Sequence, residues 1–315
     1  MEPLPPSIRG RKLPAMQVPA QFQYEKATSV DEALRLLAQY GPESRILAGG
    51  HSLIPMMKLR LAQPQALIDI NEIGELARIS VEEHTLCIGS MVRHAELLAS
   101  AVVGEHFPIF HDAERVIADP VVRNRGTVGG SLCQADPSED LSAAFAAVRG
   151  EAVIQGIYGQ RTVPVREFFR GPYETVVGDG ELLVGLRVPI RSSASAYRKV
   201  ERRAGDWAVA AAGAELRLEG ETVAEAGIGL TALGARSFCA PEAEEFLTGG
   251  PATQARFEQA GAIAAEHCAP VADQRGPVDY KRHLAATLTA RALRAALHRW
   301  RGGHPAAGEA RETEA

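Results

Sequence analysis

The chain has 315 residues, of which 46% are hydrophobic and 23% charged, with a formal net charge of −5. That length exceeds one small core and predicts two or three subdomains. The acidic balance excludes nucleic-acid binding driven by charge, so a phosphate-bearing ligand must be held by backbone groups and local dipoles.

No stretch approaches ~18 consecutive apolar residues, so no membrane-spanning helix is expected. The first residues carry Pro3, Pro5, Pro6, Pro14 and Pro19 without the apolar run of a signal peptide, and a cytoplasmic protein is expected. Residues 1–16 read as a disordered extension. Met16 is a candidate alternative start. Cys87, Cys133, Cys239 and Cys268 form no C-x-x-C pair, which argues against zinc or an iron–sulfur cluster held by this chain. They read as reduced thiols, with a packing role for Cys133.

Ser29-Val-Asp-Glu32 reads as a capping box, followed by a helical stripe of Ala33, Leu36, Leu37 and Tyr40. Gly41-Pro42 ends that helix. Arg45–Ala48 predicts a buried strand, and a helix restarts from Ser52 with Pro55 in its first turn. Leu67–Ile70 is a further strand. This alternation places strand-to-helix turns where α/β proteins bind ligands. Leu86–Ser90 alternates like a strand, and residues 105–117 predict one helix. Asp136-Pro-Ser-Glu139 reads as a capped start with proline at the first helical position; Leu141, Ala144, Phe145 and Val148 then face a core. Residues 151–165 predict a hairpin turning near Gly159, and Glu181–Val188 a strand ended by Pro189. Arg191–Ser195 reads as a linker. Strands are expected at Ala208–Leu218 and Ala226–Leu233. A long last helix carries Tyr280, Leu284, Leu288, Leu293 and Leu297, and residues 302–315 read as a tail.

Two glycine-rich segments carry the chemistry. Ala48-Gly49-Gly50-His51-Ser52 follows a strand and precedes a helix. Consecutive glycines permit positive φ and close approach of a ligand to the backbone, and exposed N–H groups then suit a diphosphate. Thr127-Val128-Gly129-Gly130-Ser131 offers the same backbone logic plus two hydroxyls. Neither segment is G-x-G-x-x-G or a P-loop. On this logic a valine at Gly50 or Gly129 should expel the ligand from a chain that still folds. His51 in its loop reads as an orienting group rather than a proton-transfer catalyst. Asp136 and Glu139 are explained by helix capping, and no catalytic residue or metal ligand is assigned.

Leu47-Ala-Gly-Gly-His-Ser-Leu-Ile-Pro-Met-Met-Lys-Leu-Arg-Leu61, Arg123-Asn-Arg-Gly-Thr-Val-Gly-Gly-Ser131 with Asp140 after it, Tyr197–Ala208 and Asp279–Leu284 resemble, in order, the flavoprotein medium subunits of aerobic carbon monoxide dehydrogenases. The resemblance runs from about residue 17 to about residue 300. It implies an α+β and α/β fold: an FAD-binding domain of the p-cresol methylhydroxylase type, made of two α/β subdomains (17–70 and 71–192), and a C-terminal α+β subdomain (195–301). It implies FAD, with its diphosphate between residues 48–52, next to Leu53, and 127–131. It also implies contacts to FAD from Asp140, from the backbone of Leu183, from Lys199 and from Trp207. At Trp207 the family often carries tyrosine, and a tryptophan can stack on a flavin ring equally well. A core aromatic on a strand is the alternative for this residue.

The implied partners are a large subunit with molybdenum–cytosine dinucleotide and a small subunit with [2Fe–2S] clusters, arranged as a dimer of heterotrimers. Electrons would pass through FAD to a quinone or another acceptor, with peripheral membrane association of the complex as an option. A related hydroxylase acting on a purine, aldehyde or N-heterocycle is the nearest alternative. A free-standing FAD-dependent oxidase and a non-catalytic FAD scaffold are the rivals of other classes.

Overall fold

The structure, a computed structural model, describes residues 18–303. The expected extension at 1–16, with Met16, and the tail beyond Gly303 lie outside the described residues. The first subdomain comprises β1 (Gln23–Lys26), α1 (Val30–Tyr40), β2 (Ser44–Leu47), α2 (Leu53–Lys58) and β3 (Ala66–Asp69). Its strands form a parallel sheet in the order β1-β3-β2. The Ser29 hydroxyl caps α1 by accepting from the Glu32 N–H at 3.2 Å, as expected. The Glu32 carboxylate, however, returns to the Thr28 N–H at 2.9 Å, one residue before the cap. Val30, Ala33, Leu34 and Leu37 bury one face of α1, each large apolar side chain contributing ~1.5–3 kcal/mol when fully removed from water.

The second subdomain begins with β4 (Ile79–Glu82), β5 (Thr85–Gly89), α3 (His94–Ala99), α4 (Ala101–His106), α5 (Pro108–Glu114), α6 (Pro120–Arg123), α7 (Val128–Gln134) and α8 (Asp140–Ala147). It continues through β6 (Glu151–Gly156), β7 (Gly159–Pro164), α9 (Val165–Phe168), β8 (Phe169–Gly171), β9 (Glu174–Thr175) and β10 (Glu181–Pro189). An antiparallel sheet, β4-β5-β10-β6-β7, carries its core. The expected hairpin is β6–β7, closed by Ile157 and Tyr158. Two helical expectations need correction. Residues 105–117 are not one helix: Phe107 is non-helical, and Pro108, which lacks an N–H, opens a new helix. Asp136 does not cap the following helix. It accepts from Ser138 N–H in a turn, while Glu139 is the N-cap of α8 and accepts from Leu141 and Ser142 N–H at 2.8 and 2.7 Å. Pro137 therefore lies before the helix.

The third subdomain holds β11 (Ala194–Val200), β12 (Ala210–Glu219), β13 (Thr222–Thr231), α10 (Pro241–Leu247), α11 (Gln254–His267) and α12 (Val278–Gly303). β11 begins inside the expected linker. Its string Arg198–Arg203 is too charged to read as a strand, because it lies at the strand's end and in the loop beyond. β13 starts four residues earlier than its apolar run. The sheet β11-β12-β13 is covered by α12 on one side and α8 on the other. The α8 contact needs small residues. A Cβ added to Gly227 or Gly229 would lie 1.9 Å from the carbonyl oxygen of Ala147 or Ala143. Helix α8, with Ala143, Ala144, Ala146 and Ala147, thus joins the second and third subdomains backbone against backbone.

Candidate functional site

The two glycine-rich segments meet although 77 positions separate Gly49 from Gly126 in the sequence. A Cβ on Gly49 would lie 2.4 Å from the Arg125 carbonyl oxygen and 2.8 Å from Gly126 Cα. Arg93 ties the junction: its guanidinium donates to the Arg125 carbonyl and, at 2.6 Å, to Asn71 Oδ1. The Asn71 amide in turn donates to the Ala48 carbonyl at 2.9 Å. Strand β3 fixes Asn71 and the end of β5 leads to Arg93. Both sheets therefore position the junction.

Backbone bookkeeping separates the segments. Among the described residues, the N–H groups of Gly49, Gly50, His51, Ser52 and Leu53 donate to no protein acceptor. Buried or half-buried donors are normally satisfied, so this run suits an anionic ligand or ordered water. Gly50 has φ +82°, which a β-carbon would disfavour. His51 and Ser52 are exposed, Ala48 and Leu53 half-buried, and the Ser52 side chain makes no bond to its own helix. The second segment is not a free loop. Thr127 is the N-cap of α7 and accepts from Gly130 N–H at 3.1 Å. Val128 and Gly129 donate to Val92 and Ser90 at 2.9 and 2.8 Å, and Ser131 N–H donates to Thr127. Gly129 is glycine because a Cβ there would lie 2.6 Å from Ser90 Cβ. The expectation that a valine at Gly129 spares the fold is therefore corrected.

Asp140 and Lys199 face each other in a buried pair at 2.8 Å, with side chains 5% and 2% exposed. Burial pushes the Asp140 carboxyl up, while the Lys199 charge pulls it down; the net direction is upward. Tyr197 donates to Asp140 at 2.8 Å, and Lys199 also donates to the Val116 carbonyl at 2.9 Å. Arg198 turns away, toward Asp112. Tyr197, Arg198 and Lys199, with Asp112, Arg115 and Val116, border a cavity of about 280 Å³ between α5 and β11. Leu183 buries its side chain in the core. Its strand pairs with β6 there, while β5 joins from Gly185 onward and Ser90 N–H reaches the Val184 carbonyl at 3.1 Å, so among the described residues no strand flanks Leu183 on its other edge.

Trp207 lies 46% exposed in the loop between β11 and β12, not in the core. Gly205, at φ +77°, lets that loop touch Ala118, where a Cβ would meet the carbonyl oxygen at 2.6 Å. Cys133, expected to pack, is exposed on α7. The sequence reading missed Asn71, Arg93, His94 and Glu114. Their spacing to the glycines carries no motif, and only the position of Asn71 just past a strand end was a usable signal.

Residues 20–191 match the family described as FAD binding domain in molybdopterin dehydrogenase, and residues 195–296 match the CO dehydrogenase flavoprotein C-terminal domain. The carbon monoxide dehydrogenase medium chain of Hydrogenophaga pseudoflava is 41% identical over 284 residues, covering 90% of this chain and 99% of that one. A solved carbon monoxide dehydrogenase structure from the same organism superposes with a TM-score of 0.86 and 42% identity, over 90% of this chain and 99% of that one. Quinoline 2-oxidoreductase from Pseudomonas putida 86 gives a TM-score of 0.84 at 32% identity, with the same coverage.

Proposed function

The chain belongs to the FAD-binding medium-chain family of molybdenum hydroxylases, oxidoreductase subunits that include the carbon monoxide dehydrogenase flavoproteins, and from that premise we propose its specific role. It is the FAD-carrying subunit of an aerobic carbon monoxide dehydrogenase. It works in the cytoplasm beside a large molybdenum-binding subunit and a small [2Fe–2S] subunit, in a dimer of heterotrimers. Electrons from the small subunit leave through this chain to a quinone or similar acceptor.

One observation carries the cofactor assignment: among the described residues, the five consecutive N–H groups from Gly49 to Leu53 have no protein acceptor. Each bond to a charged oxygen is worth roughly 1.5–3 kcal/mol, so a few of them dominate the binding of a diphosphate by an acidic protein. Ser52 and Ser131 belong to the two segments that meet at this junction. The open backbone edge at Leu183 suits the polar rim of a flavin ring, and the exposed face of Trp207 suits its flat surface. The buried Lys199–Asp140 pair supplies a further fixed charge arrangement. FAD, when bound, supplies the conversion between one-electron and two-electron transfer, while the protein positions it and tunes its potential.

A second reading keeps the chain and changes the substrate. The likeness to quinoline 2-oxidoreductase supports an N-heterocycle, purine or aldehyde hydroxylase, because the substrate site belongs to the large subunit. Co-purification of the tagged chain from its host, with a visible spectrum and metal analysis, tests both. Flavin bands with iron, molybdenum, copper and two further subunits are expected. Iron and molybdenum without copper would select the second reading, and a lone yellow protein that turns over substrate would overturn both.

A further inference from the structure

We infer that Glu114, His94 and Ser131 form a hydrogen-bond relay that turns the Ser131 hydroxyl proton toward a diphosphate held at the glycine junction. The ligand in this inference rests on the FAD reading; the relay rests on protein geometry. Glu114 ends α5, His94 opens α3, and Ser131 stands in the first turn of α7. His94 Nδ1 lies 2.9 and 3.1 Å from the two Glu114 oxygens, and Nε2 lies 3.1 Å from Ser131 Oγ. The His94 and Glu114 side chains are 4% and 0% exposed, whereas Ser131 is half-exposed. The imidazole is also clamped: a Cβ on Gly126 would lie 2.7 Å from its Cδ2. An ionisable pair buried among apolar side chains is costly unless each polar atom is matched. Here both ring nitrogens are matched, and among the described residues the chain of bonds opens outward only at the Ser131 hydroxyl.

The direction of the hydroxyl follows from proton counting. With Nδ1–H donated to Glu114, Nε2 carries a proton only in the imidazolium. Ser131 Oγ then accepts from Nε2, and its own hydrogen is released to the cleft as a donor to an anion. In the neutral ring, Nε2 takes that hydrogen, and the hydroxyl shows the anion only lone pairs. Burial pulls the His94 pKa down, but the Glu114 charge and hydrogen bond more than offset this, and the net direction is upward. Glu139, ahead of α8, acts in the same sense, and Arg123 of α6 opposes it. A raised histidine pKa means that the charged form, and the binding it favours, is present at low pH and lost as pH rises through the folded value. Burial pushes Glu139 up to about 7, so it too titrates within the range where histidines change charge. Only the His94 effect, however, reaches the ligand through Ser131.

The test uses the full chain labelled with ¹⁵N-histidine, stripped of cofactor, and titrated with FAD from about pH 5 to about pH 8, the range in which histidine changes charge. Wild type, Ser131→Ala and Glu114→Gln are compared. At the acidic end of the titration both His94 nitrogens should be protonated, and FAD binding should weaken as Nε2 loses its proton. Ser131→Ala should bind roughly tenfold more weakly at low pH, the loss of one hydrogen bond to a charged group, and its affinity should no longer follow His94. Glu114→Gln should move the decline to lower pH. If it does not fold, Ser131→Ala, which removes one half-exposed oxygen, carries the test. An unprotonated Nε2 throughout, or wild-type pH dependence in Ser131→Ala, would overturn the relay. A wild-type chain that binds no FAD would sink the FAD reading instead, and the ring-nitrogen spectrum alone would then decide the relay.

Discussion

The two glycine-rich segments read alike in sequence, yet the fold uses them in opposite ways. In the first, the N–H groups from Gly49 to Leu53 are left without protein acceptors among the described residues. In the second, Val128, Gly129, Gly130 and Ser131 all donate within the protein. Gly50 is a glycine for its φ of +82°, whereas Gly129 is one because Ser90 occupies the space a side chain would fill. The first segment is a cradle and the second is the wall it leans on. A double glycine therefore marks close backbone approach without saying whether a ligand or the protein itself approaches.

The largest expected effect lies on the wall. Gly129→Ala places a methyl 2.6–2.7 Å from Ser90 Cβ and carbonyl oxygen, and these belong to a buried residue between β5 and α3. Overpacking of this kind costs about 1–3 kcal/mol, or more where backbone must move. Denaturant unfolding should show that loss with or without FAD. A variant with wild-type stability that has lost only FAD would put the diphosphate at Gly129 and break the comparison.

Gly49 sits between the two segments and should show both effects. Its added Cβ meets the Arg125 carbonyl oxygen and Gly126 Cα, so Gly49→Ala must part the junction that Arg93 and Asn71 tie. A loss of about 2 kcal/mol in stability is expected, together with weaker FAD binding by at least roughly tenfold. Gly50→Ala is milder. Its Cβ would meet the flexible Ile54 and Leu47 side chains, at 3.3 and 3.5 Å, and the cost is the strain of positive φ, about 1 kcal/mol. FAD affinity should fall more than stability does. If calorimetry shows equal affinity for Gly50→Ala and wild type, the first segment is not the cradle.

This contrast also explains how far the sequence could be read. The parallel start of the fold was legible, because capping at Ser29 and the apolar strands before Gly49 and Asn71 are local signals. The residues of the cradle were legible for the same reason. Asp140 and Lys199 could be named only through family resemblance, since 59 positions separate two groups that meet at 2.8 Å. The relay of Glu114, His94 and Ser131 was not legible at all. It is built by three helices whose ends converge through packing on the same core, and no spacing encodes that. Glu139 misled for a physical reason: Asp136, a good capping residue by type, is held by its own turn and by the Tyr173 hydroxyl, which leaves the cap to Glu139.

The smallest effect is the most discriminating. Thr127 was expected to offer its hydroxyl to the diphosphate, but its residue is only 2% exposed, and its Oγ1 caps α7 through Gly130 N–H. If the second segment is a wall, Thr127→Ala should cost about 1 kcal/mol of stability, the usual worth of an N-cap. Thr127→Ser should recover most of it, because the oxygen is what caps. FAD affinity should stay within about twofold in both variants, since a change of that size is below half a kilocalorie per mole. A tenfold loss of FAD affinity in Thr127→Ala, restored in Thr127→Ser with stability unmoved, would show that the hydroxyl meets the cofactor. The wall would then be part of the cradle, and the division between the segments would be one of degree.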